Sequence, residues 1–180
     1  MSWRGNGNPA VSPPWNSHPE IDFQIVRNES PTIPACDCLV IGYGNTLRGD
    51  DGVGLRTVEA VADLQLPGVQ TLVCPQLSPE HAELVAQART VIFVDAAVHA
   101  PGEVRLQPLS PADASQLVAH AADPETVLAL ARDVFGRVPE AWLLTIPIET
   151  LDFCEALSST AQRGLEQAVR EIQELLPDRN

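Results

Sequence analysis

Lysine is absent from this chain of 180 residues: all 11 basic residues are arginine. That absence removes Schiff-base chemistry and the phosphate-gripping lysine of a P-loop. Positive charge is scarce altogether. A formal net charge of −13 argues against nucleic acid or an anionic membrane surface as partner, since either needs a cationic patch. No run of 18 apolar residues is present to span a bilayer, so the expectation is a soluble protein with no membrane partner. Cysteine is sparse as well. Cys36, Cys38, Cys74 and Cys154 are too few and too scattered to staple a domain of this size. The first residues, MSWRGNGNPAVSPPWNSHPE, hold no apolar signal-peptide core, and with the cysteine count this favours the cytoplasm.

What is present is ordinary for a globular protein, with 44% apolar and 19% charged residues. The length suits one domain with a substantial core. Residues 1–36 are rich in Pro, Asn and Ser without apolar periodicity, and read as an extended or disordered arm carrying Trp3 and Trp15, with DFQIVR (Asp22 to Arg27) as a possible short edge strand. Residues 37–180 then form the folded domain.

From Cys38 onward, short apolar runs alternate with longer amphipathic segments, the pattern of βαβ units. CLVIGY, VQTLVC, TVIFVDAA and AWLLTIPI read as strands, and GEVRLQPL as an edge strand that is possibly antiparallel. Helices are expected over Asp51 to Asp63, over SPEHAELVAQA with Ser78 as cap, over DPETVLALARDVF with Asp123 as cap, and over the last amphipathic segment from Ser158 or Ser159. The expected fold is α/β: a three-layer sandwich with a mostly parallel, twisted sheet of about five strands and helices on both faces. Ligands gather at the carboxyl ends of strands in such sheets, so the residues that stop each strand are the candidates for chemistry.

The first such stop, VIGYGNTLRGDDGVGL, carries Gly42, Gly44, Gly49, Gly52 and Gly54. Their spacing does not match G-x-G-x-x-G, and Asp50 and Asp51 stand where a phosphate would bring its own negative charge. Asp50 reads most simply as a helix cap, and Asn45 as a residue that orders the loop through local hydrogen bonds. Asp51 fits a cation site. Asp95, ending a buried strand, is the second acidic group at the same rim, where a carboxylate needs a partner or a metal. Of four histidines, His18 lies in the arm and His81 inside a helix; His99 and His120 both remain as a third ligand. Cys36 and Cys38, at alternate positions, read as core on one face. No G-x-S-x-G elbow and no H-E-x-x-H helix is present, which leaves serine-hydrolase and resident-zinc chemistry without a motif.

GYGNTLRGDDGVGLRTVEAV resembles the signature G-x-G-N-x-L-x-x-D-[DE]-x-x-G that opens the [NiFe]-hydrogenase maturation endopeptidases. VIFVDA, AHAADPETVLALA and LTIPIETLDFCEALS look like later segments of that family, AHAADP and TIPIETLDF most like its cyanobacterial version, and the resemblance runs from Cys38 to Leu176. It implies an aspartic-type endopeptidase that removes a C-terminal extension from the precursor of the hydrogenase large subunit after nickel insertion. By the same resemblance Asp51, Asp95 and His120 are both metal ligands and catalytic residues, and the nickel is carried by the substrate rather than held permanently. A monomer is expected, with the precursor as its partner. The other reading is a non-catalytic, chaperone-like module that grips the immature nickel-containing subunit. Two departures from the pattern stand out. Asp51 occupies a position that is often Glu, and Cys154 one that is commonly Gly, where a positive φ would strain any other residue.

Overall fold

The computed structural model describes Met1 and residues 36–98, 102–113 and 123–176. The expected arm with Trp3, Trp15 and the DFQIVR strand lies outside the described residues, as do His18, His99 and His120. All described elements belong to the unit Ile33–Asn180.

Five strands form one sheet: β1 (Cys38–Tyr43), β2 (Val69–Cys74), β3 (Thr90–Val98), β4 (Arg105–Leu109) and β5 (Glu140–Ile148), in the order β2-β1-β3-β5-β4. All neighbours run parallel except β4, which lies antiparallel on β5 with Leu106 opposite Leu144. The antiparallel edge expected for GEVRLQPL is therefore found. Four helices complete the fold: α1 (Val53–Asp63), α2 (His81–Gln87), α3 (Pro124–Phe135) and α4 (Ser159–Leu175).

The central strands lack polar alternation because both of their faces are covered. Leu39, Ile41, Val91 and Phe93 point into a core shared with Ala82 and Val85 of α2 and Val127 and Leu128 of α3. The alternate residues Val40, Ile92 and Val94 pack with Val53 and Val58 of α1 and Ala168 and Ile172 of α4. The expected three-layer sandwich is present.

Cap chemistry explains two helix starts as expected. The Asp123 carboxylate accepts the Thr126 N–H at 2.7 Å with Pro124 following, and the Ser158 hydroxyl accepts the Ala161 N–H at 3.1 Å. Two others differ. Ser78 does not cap α2, which begins at His81; instead the Ser78 N–H donates to His81 Nδ1 at 3.0 Å. Nor does α1 start at Asp51: a 3-10 turn, Gly49–Gly52, precedes it, and neither segment has a side-chain cap. The cysteine pair also departs from expectation. Both thiols are buried, but Cys36 lies ahead of β1 and packs in the α2–α3 core while Cys38 packs in the α1–α4 core, so strand alternation does not relate them.

The chain leaves β1 for β2 on one side and later reaches β3 on the other, so the direction of strand order reverses between β1 and β3. Crevices at such reversals, outside the carboxyl ends, are where α/β sheets bind ligands. Tyr43 ends β1 at that point, and Asp95 lies in β3 one residue beyond the Gly42–Val94 register pair.

Candidate functional site

The glycine loop is pressed onto this crevice by contacts that admit no side chain. A Cβ on Gly54 would stand 2.6 Å from the Val94 carbonyl oxygen and 2.9 Å from that of Tyr43, which seats the first turn of α1 on the ends of β3 and β1. Gly44 has φ of +136° and turns the chain back so closely that a Cβ there would strike the Asp51 carbonyl. These two glycines thus serve close backbone approach.

Within this loop the Asn45 side chain accepts the Leu47 N–H at 2.9 Å, the ordering role expected of it. The Asn45 N–H in turn donates to Asp51 Oδ2 at 3.0 Å, leaving Asp51 half-buried at the rim. Arg48 is exposed.

Asp95 is held by two donors: Tyr43 Oη donates to Oδ2 at 3.0 Å and the Ala96 N–H to Oδ1 at 2.8 Å. Its carboxyl is nonetheless pushed up from the ordinary value of 3.8, chiefly by burial; the Tyr43 and Ala96 hydrogen bonds oppose this, and the negative charge of Asp51 adds to it. Tyr43, by burial and then by the neighbouring Asp95 charge, is held firmly protonated and so remains a donor. Sequence reasoning passed over Tyr43, the single tyrosine of the chain. Its signal was positional: it ends the strand next to the one that carries Asp95.

Asp50 is not a helix cap. It is fully buried and accepts four hydrogen bonds from the β5–α4 connection: Ser158 N–H at 2.6 Å, Ser158 Oγ at 2.7 Å, Glu149 N–H at 2.9 Å and Thr150 N–H at 3.2 Å. Burial alone would raise its carboxyl, but the bonds from Ser158, Glu149 and Thr150 outweigh it and hold the group below 3.8.

Of the three expected ligands, Asp51 lies in the glycine loop that is seated on the ends of β1 and β3, Asp95 lies in β3 where the charge of Asp51 reaches it, and His120 lies outside the described residues. Among the described residues no cluster of three His, Cys, Asp or Glu side chains is assembled, and His81 is engaged with Ser78. The thiols of Cys36, Cys38 and Cys74 are buried and pushed up by that burial, Cys38 to about 12, which makes them inert core groups. Cys154 is exposed in the β5–α4 connection. Gln65 is the only non-glycine residue with positive φ among the described residues, so Cys154 occupies its position in an ordinary backbone conformation.

No family model and no curated protein sequence matches the chain. Solved structures do. The hydrogenase maturating endopeptidase HybD from Escherichia coli is 26% identical over 75% of this chain and 88% of its own, with a TM-score of 0.59. A hydrogenase 2 maturation peptidase from a Thaumarchaeota archaeon is 26% identical over 76% of this chain and 95% of its own, with a TM-score of 0.57. The [NiFe] hydrogenase maturation protease HycI from Thermococcus kodakarensis, 22% identical over 77% of this chain and 91% of its own, shares the fold with a TM-score of 0.62. By fold, and at 26% identity by sequence, the chain is thus similar to proteins named as hydrogenase maturation endopeptidases.

Proposed function

We propose that this protein is an endopeptidase that removes the C-terminal extension of a [NiFe]-hydrogenase large-subunit precursor once nickel has been inserted. The observation that supports this reading is a glycine loop bearing Asp51, seated at the strand-order reversal within electrostatic reach of Asp95, on a fold similar to named maturation endopeptidases. Two carboxylates at a crevice repel one another unless a cation or proton comes between them. The nickel of the precursor is such a cation. Asp51, Asp95 and His120 complete its coordination and thereby hold the peptide that follows it.

Hydrolysis then requires a water oxygen to add to the scissile carbonyl carbon, the C–N bond to break, and a proton to reach the leaving nitrogen. Asp95 suits the base role, because burial makes its carboxylate a better proton acceptor than an exposed one. Tyr43, which stays protonated beside it, fixes the orientation of that carboxylate. The substrate's nickel polarises the carbonyl or the water.

In this reading the enzyme checks cargo: a precursor without nickel lacks the group that the carboxylates grip. Incubating the protein with nickel-loaded and nickel-free precursor tests it by a shift in precursor mass on a gel. The expected result is cleavage of the loaded form alone, and equal cleavage of both would reject the checkpoint. Binding of the loaded precursor without any mass change would favour the chaperone-like reading instead. A cytoplasmic site of action accords with the four free cysteines, and no described helix is long and apolar enough to cross a membrane.

A further inference from the structure

Asp51 accepts one hydrogen bond, from Asn45, whereas its neighbour Asp50 accepts four. A fully buried carboxylate is stable only when its lone pairs are filled, and those of Asp50 are filled from a single segment about a hundred residues away. Oδ1 accepts the Ser158 N–H; Oδ2 accepts the Glu149 and Thr150 N–H groups and the Ser158 hydroxyl. Backbone bonds close the same junction: the Asp50 N–H donates to the Thr150 oxygen at 3.2 Å, and the Gly49 N–H to the Cys154 oxygen at 2.6 Å. Ser158 ties the junction onward into α4, since its hydroxyl also accepts the Ala161 N–H. None of these bonds involves the Asp51 side chain, which is held by Asn45 inside the loop.

Resting on the endopeptidase reading, we propose that Asp50 is a positioning residue: it clamps the 3-10 turn to the β5–α4 connection and so presets the Asp51 carboxylate beside Asp95 before the precursor arrives. Preset geometry matters because a displacement of about 1 Å in a reacting group lowers rates by up to roughly 100-fold. The donors also explain why the clamp is Asp. They approach both oxygens, whereas Asn offers one acceptor and would turn its NH2 toward an N–H.

Asp50→Asn in the full chain tests the clamp with nickel-loaded precursor, at a temperature where circular dichroism shows wild-type helix and strand content. The expected result is kcat lowered by at least about 10-fold with KM within about 2-fold, and faster amide exchange over residues 45–51 while β1 and β3 keep their protection. Ser158→Ala, which deletes one donor, should show a smaller fall in kcat, and Ser158→Thr, which restores a hydroxyl, should recover it. That pair carries the test if Asp50→Asn does not fold. A folded Asp50→Asn or Ser158→Ala variant with wild-type kcat and wild-type exchange would overturn the clamp. A wild-type protein that leaves the loaded precursor intact would instead refute the endopeptidase reading, and the exchange contrast would then judge the clamp by itself.

Discussion

Asp50, Asp51 and Asp95 carry the same carboxyl group in three environments, and those environments separate their roles. Asp50 is buried with its lone pairs filled, Asp95 is half-buried with desolvation prevailing over its two donors, and Asp51 is half-buried in the glycine loop. For Asp50 the folded-state pKa lies below 3.8, so its contribution to stability is present above that value and is lost as pH falls through the lower folded value. Breaking such a cluster of hydrogen bonds costs about 1–3 kcal/mol. Urea unfolding should therefore show wild type more stable than Asp50→Asn by about that amount at neutral pH, with the gap closing only once pH has fallen below the ordinary carboxyl value of 3.8. A constant gap would contradict the linkage. Asp95 has the opposite sign: its folded-state pKa is raised, so its favourable contribution is present below the unfolded value and lost as pH rises through the folded one. Relative to wild type, Asp95→Asn should accordingly gain melting temperature as pH rises from acid to neutral while lacking activity, and a pH-independent difference would argue against a raised carboxyl. Asp51 and Asp95 stood out as candidates in the sequence because acid behind a glycine-rich turn, or at the end of an apolar strand, is anomalous. Asp50 was not, because its partners lie about a hundred positions along the chain and no local pattern announces them.

Between elements, the decisive joint is the seat of α1 on β1 and β3. Gly54 meets the Val94 and Tyr43 carbonyl oxygens so closely that Gly54→Ala must lift the helix start off the sheet. Overpacking of this kind costs roughly 1–3 kcal/mol. It should also reduce processing, because the same movement carries Asp51 away from Asp95. Urea unfolding and a cleavage assay on one preparation check both, and a variant with wild-type stability would show that the joint is looser than described. Strands were readable from sequence since residues buried on both faces leave continuous apolar runs. Helix starts were readable where a side chain caps them, at Asp123 and Ser158, and misread where backbone geometry alone sets them, at the 3-10 turn and at His81. The same limit caught Cys36 and Cys38, whose spacing suggested one face until the strand proved to begin at the second of them.

Over the whole molecule, strand order is what turns scattered residues into a site. β2-β1-β3-β5-β4 places the end of β1 beside β3, and that adjacency, which no local pattern encodes, brings Tyr43 to Asp95 and the glycine loop to both. Intact-mass measurement of a nickel-loaded precursor after incubation with wild-type protein and with Asp95→Ala tests this account most directly. It predicts loss of one C-terminal segment with wild type and an unchanged mass with the variant. Equal processing by the two proteins would contradict it.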